Sequence, residues 1–139
     1  MTPCEAKTAG VLLGNAAFSF AAGVGFLIAG PLVAAALNPA LPPLAVQAMG
    51  AALIGFAAVL VLIARMERLP RRVVWVIVAM DLSWVLASVA ALAAFGGSMS
   101  PFGATFVWVV ALAVAGFALF QSGGLLKSRG SAAVAQARV

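Results

Sequence analysis

The stretch VVWVIVAMDLSWVLASVAALAAF, residues 73–95, decides the class of this chain. A helix needs roughly 20 apolar residues to cross a hydrocarbon core about 30 Å thick, and this run is long enough. It does not alternate polar with apolar positions, so it does not read as a strand of a membrane barrel. One carboxylate, Asp81, stands in its middle. An acid there costs about 2.5–3.5 kcal/mol on insertion scales, so its presence asks for a reason.

The rest of the chain repeats the pattern. Of 139 residues, 65% are hydrophobic and 8% are charged, against about 25% charged in an ordinary soluble domain. A soluble protein of this length has too much surface for its volume to hide so much apolar area. Three further apolar runs are separated by NPALPP, RMERLPRR and GGSMSP, which carry the proline, glycine and charge that punctuate helices. The predicted fold is an all-α membrane protein, with four transmembrane helices in an antiparallel bundle. Helices are expected at about residues 10–29 with a short piece at 31–37, then 44–65, 72–95 and 102–126. Residues 1–126 form one transmembrane domain, and 127–139 a cytoplasmic basic tail.

The first run is too long for one straight span. At 1.5 Å per residue, positions 10–37 reach about 42 Å. Proline removes a backbone donor and clashes with the preceding turn, so Gly30-Pro31 predicts a break. A kink in one long helix is the alternative. The run also far exceeds the 7–15 residue core of a signal peptide, and Glu5 spoils a basic n-region, so the first helix is expected to be retained.

Charge sets the threading. The basic residues are Lys7, Arg65, Arg68, Arg71, Arg72, Lys127, Arg129 and Arg138, and the first and third connections carry none. The positive-inside rule puts both termini and the second connection in the cytoplasm, as a multi-pass protein of a bacterial inner membrane. Anionic lipid headgroups suit RMERLPRR. A nucleic-acid partner is not expected, because no basic domain exists to hold a phosphate backbone.

Much chemistry is excluded by composition. The chain has no histidine, no tyrosine and one cysteine, Cys4. Histidine-ligated haem, histidine metal sites and thiolate clusters are therefore out of reach within one chain. No serine–histidine pair and no phosphate-cradling glycine loop is present. No catalytic residue, metal or cofactor is expected, and the chain reads as non-enzymatic.

A small set of polar residues remains at membrane depth. Asn15, Ser19 and Gly23 follow at i, i+4 and i+8 and share one helix face, continued by Phe26 and Gly30. Asp81, Trp84, Val85 and Ser88 form another. Ala113, Gly116, Phe120 and Gly124 make a small-residue stripe on the fourth helix, with Gln121 beside it. Counting helical rise from the basic ends puts Asn15, Ser19, Asp81 and Gln121 in the same half of the bundle. The candidate cluster is Asp81, Asn15, Ser19, Gln121, Trp84 and Ser88, with Gln47 at the opposite end. No lysine or arginine lies at the depth of Asp81. The acid is then protonated and hydrogen-bonded to amides, or faces water, or pairs with a cation from another subunit. Small-residue pairs such as Gly10–Gly14 and Ser19–Gly23 suit close helix packing in lipid.

DLSWVLAS, residues 81–88, with QSGGL, residues 121–125, resembles a pattern in small bacterial four-helix integral membrane proteins to which no activity is assigned. The resemblance covers all four helices and implies the fold, not a function. The functional expectation is a structural or accessory protein that binds membrane lipid or a membrane partner through its bundle, as a homo-oligomer or in a larger complex. The alternative is a small transporter or channel with Asp81 as a proton or cation site.

Overall fold

The computed structural model describes the backbone of residues 3–136 and the side chains of residues 5–123. Its elements are α1 (Pro3–Leu37), α2 (Pro43–Ala64), α3 (Arg71–Phe95), a short 3-10 turn (Gly96–Ser98) and α4 (Pro101–Gln136). Four helices are long and apolar enough to cross a membrane. A proline stands at the first position of α1, α2 and α4 and just before α3, since a proline at a helix start gives up a donor that has no partner anyway. Pro42 and Pro70 precede α2 and α3, and their carbonyls accept from Ala45 and Val73 at 3.0 and 2.9 Å.

Two bounds differ from the sequence reading. α1 begins at Pro3 rather than near Gly10, because Ala6 and Lys7 are good helix formers behind a favourable N-terminal proline. Within the span to Leu37, Ala29 alone departs from helical angles (φ −104°, ψ 19°), two residues before Pro31, so two helical stretches meet there. α4 continues to Gln136, past the expected end at 126, through a stretch in which lysine, arginine, alanine and glutamine, all good helix formers, outweigh one glycine. The side chains of Lys127, Arg129 and Arg138, and of Cys4, lie outside the described residues.

Packing is uneven around the bundle. α1 packs along α2 and against α4, and α3 packs on α4, whereas α2 and α3 form no comparable interface. The α1–α2 contact is close because glycine faces glycine. A Cβ added at Gly23 would lie 2.7 Å from the carbonyl oxygen of Gly50, and one at Gly50 would lie 2.7 Å from that of Gly23. Small residues let helix backbones approach in this way where lipid supplies no hydrophobic drive.

The two ends are closed differently. Around the second connection, Leu12, Leu60 and Val74 are fully buried, with Leu69 of the loop tucked beneath them. This is the Arg68 end. At the other, the Asn38 end, polar contacts tie the first and third connections. Asn38 Nδ2 donates to Ser98 Oγ at 3.2 Å. Ser100 Oγ donates to the Ala36 carbonyl and accepts from the Gly103 N–H at 2.9 Å, so one hydroxyl caps α4 and fastens it to α1. Outside this frame the helices are apolar, with Ile28, Leu62, Leu86, Leu112 and Leu119 all largely exposed. Such a surface suits lipid and not water.

Candidate functional site

Asp81 is buried, 3% exposed, and two amides from two other helices meet it. Asn15 Nδ2 of α1 donates to Asp81 Oδ2 at 2.9 Å. Gln121 Nε2 of α4 donates to the same oxygen at 3.3 Å. Ser19 Oγ in turn donates to Asn15 Oδ1 at 3.3 Å. One carboxyl group thus gathers side chains from α1, α3 and α4 at a single level. Asn15, Ser19 and Gln121 are themselves buried.

Local sequence explains the convergence. On α1 the buried positions run Leu12, Asn15, Ala16, Ser19, Gly23 and Phe26, a stripe of threes and fours. On α4 the buried stripe is Ala111, Val114, Ala118 and Gln121. The stripe predicted on α4 is therefore displaced. Phe120 is 72% exposed, and a Cβ at Gly116 would meet nothing within 4 Å. Gln121 is polar and needs partners, so it turns its own face inward and carries Ala113, Gly116 and Phe120 away from the packed side. Gly124 lies outside the residues whose side chains are described. Gly10 likewise has open space beside it, while Gly14 lies against Phe117.

Trp84 and Ser88 do not join the hydrogen-bonded group. Ser88 Oγ donates to the Trp84 carbonyl at 2.9 Å, within its own helix. Trp84 lines both of two adjoining cavities. One, of about 220 Å³, is bounded by Asn15, Ser19 and Asp81 and by the rings of Phe18, Phe26 and Phe56. The other, of about 240 Å³, continues toward the Asn38 end past Ser88 and Phe106 to Leu37 and Leu41. Phe26, Met49, Trp84 and Val110 border both, so the two cavities adjoin at these residues and together make up the slot. Met49 and Met80 line it from α2 and α3 and are 43% and 52% exposed. The slot therefore opens sideways, where α2 and α3 fail to pack.

Among the described residues, two buried side-chain polar atoms have no hydrogen-bond partner: Trp84 Nε1 and Gln121 Oε1. Among the described residues no three histidine, cysteine, aspartate or glutamate side chains group as metal ligands. The arrangement can accept hydrogen bonds at Asp81 and shelter an apolar body beside it. No protein-family model matches this chain. No curated protein and no solved structure matches it either. The functional argument therefore rests on the site.

The sequence points to the polar side chains and, of the walls, to Trp84 and Phe26 alone. Phe18, Phe56, Met49 and Met80 carry no signal that separates them from dozens of other apolar residues. Gln47 was left alone at the far end, and it does lie apart from Asp81. Its role was still legible in outline: Pro31 has no N–H for the carbonyl four residues back, at Leu27, and Gln47 Nε2 donates to that carbonyl at 3.4 Å. Thr8, 6% exposed, is a further buried polar residue of α1 that spacing alone did not single out.

Proposed function

We propose that this chain is a non-enzymatic, multi-pass membrane protein that holds a membrane-embedded amphiphile in the slot between α2 and α3. Its helices alternate in direction across the bilayer, α1 bends at Ala29–Pro31, and both termini with the Arg68 end face the cytoplasm. The charge distribution supports that threading, because every basic residue lies at a terminus or in the second connection. Asp81 is neutral when no cation faces it, and its two amide donors leave the proton on Oδ1.

The observation that carries the reading is the slot itself: apolar, open on the lipid side, and ending at one buried acid. Ligand sites are mostly apolar hollows with a few placed polar groups, and the two adjoining cavities, of about 220 and 240 Å³, have that character. The apolar plug of Leu12, Leu60 and Val74 below Asp81 weighs against a conduction path through the acid.

A photoreactive fatty-acyl probe in nanodiscs tests this. Cross-links should map to α2 and α3 around Met49 and Met80, and Ala52→Trp, which fills the slot, should remove them. Cross-links spread evenly over the outer faces of all four helices, unchanged by Ala52→Trp, would reject the proposal.

A further inference from the structure

The chemistry around the slot narrows what it holds, given the slot reading above. Three observations converge. The first is the acid itself. As glue between helices, an asparagine at position 81 would hydrogen-bond with Asn15 and Gln121 without an ionisable group's cost in the membrane. What an aspartate adds is an exchangeable proton and a negative charge.

The second is the arrangement of donors. Both amides donate to Oδ2, and no described side chain donates to Oδ1, while Asp81 borders the cavity. Among the described residues, no lysine or arginine lines that cavity. Lys7 and the arginines at 65, 68, 71 and 72 belong to the ends of the sequence segments that flank the spans. The third is the wall. Phe18, Phe26, Phe56 and Trp84 line the same cavity as Asp81. Aromatic faces attract a cation through the ring quadrupole, and more strongly when water is excluded.

We infer that the slot binds a lipophilic amine, with one basic nitrogen on an elongated apolar body, and that Asp81 is its counter-ion. The amine enters in its uncharged form from the bilayer, through the unpacked α2–α3 side. The Asp81 O–H gives its proton to the nitrogen lone pair. A carboxylate and an ammonium result, with no other species formed or consumed. Asn15 and Gln121 already present N–H groups to Oδ2, so the carboxylate is hydrogen-bonded as it forms. The apolar body runs past Trp84 into the second cavity toward Leu37 and Leu41. An alcohol of the same length would fill the same space and would need only an acceptor, so it gains neither the ion pair nor the ring faces.

The test uses the full chain in phosphatidylcholine nanodiscs, with Trp75→Phe and Trp108→Phe so that fluorescence reports Trp84. The probes are dodecyldimethylamine and dodecanol, read against protein-free nanodiscs. The amine should bind at least about tenfold more tightly than the alcohol, the gain expected of a desolvated cation–ring contact joined to an ion pair. Asp81→Asn should reduce the amine to the level of the alcohol and leave the alcohol unchanged. In the unsubstituted protein, the amine should also remove the infrared band of a protonated carboxyl group, and dodecanol should not. This second readout does not depend on any variant folding.

Equal affinity for the two probes, with the carboxyl band untouched, would overturn the amine inference while the slot reading stands. If neither probe binds, and the fatty-acyl cross-links around Met49 and Met80 are unchanged by Ala52→Trp, both fall.

Discussion

The side-chain amide of Gln47 on α2 reaches the backbone carbonyl of Leu27 on α1 at 3.4 Å. That carbonyl is the one Pro31 leaves without a helical donor. A proline that would expose backbone polarity to lipid is thus served by a neighbouring helix, one of the ways prolines are tolerated at membrane depth. Gly30 makes room for it, since a Cβ there would lie 2.5 Å from Gln47 Cγ. Gln47→Ala should destabilise the fold by about 0.6 kcal/mol, and at most about 1.7, the range of membrane hydrogen bonds. In a Pro31→Ala background, where position 31 regains its N–H, the same substitution should cost less. A double-mutant cycle of unfolding in detergent measures the difference. A coupling of zero would mean that the amide does not serve the freed carbonyl.

The crossing of α1 and α2 makes a second prediction. Gly23 and Gly50 each stand against the other's backbone oxygen, which cannot swing aside as a side chain does. Gly50→Ala and Gly23→Ala should each force the helices apart and lower the unfolding midpoint. Gly116→Ala and Gly55→Ala have open space, and should be neutral or stabilising by up to about 1 kcal/mol from helix propensity alone. Equal losses at all four positions would show that glycine contributes flexibility rather than close approach.

How much of this was legible beforehand differs by level. The helices were, because the run around Asp81 has one reading by length and pattern. The polar residues were, because few exist: Asn15 and Ser19 fall one turn apart, and helical rise sets them in the same half of the bundle as Asp81. The face of α4 was not. Its small residues Ala113 and Gly116 looked like the packing stripe, but Gln121 needs a partner more than Gly116 needs a neighbour. The slot was not legible either. It arises because α2 and α3 stay unpacked beside the close Gly23–Gly50 crossing, and Gly50 looks like any other glycine in an apolar run.

Threading is tested by labelling. Ala40 and Ser98 are exposed at the Asn38 end, and Glu67 is exposed at the other. With Cys4→Ser, Ala40→Cys and Ser98→Cys should react with an impermeant thiol reagent applied to intact cells. Glu67→Cys should react only after lysis. The opposite pattern would reverse the orientation.

The Asp81 cluster makes the last prediction. Asp81 Oδ2 accepts from Asn15 and Gln121 together, at 2.9 and 3.3 Å. Asp81→Asn keeps a carbonyl oxygen to accept both and places its own amide where Oδ1 stood, so the fold should be nearly unchanged. Asp81→Leu has the size but no acceptor, and it strands two buried N–H groups. Its cost should be on the order of 0.6 kcal/mol per lost bond, with an upper end near 1.7, despite the easier insertion of leucine. Removing a donor as well should then cost little. Asn15→Ala should destabilise the parent protein and do much less in the Asp81→Leu background, where the amide has already lost its acceptor. Infrared spectra fix the charge state: a protonated carboxyl band that is absent from Asp81→Asn belongs to Asp81. If that band is missing from the parent at neutral pH, Asp81 is ionised without a ligand. The two amides then hold a carboxylate, and the proton transfer to a bound amine falls.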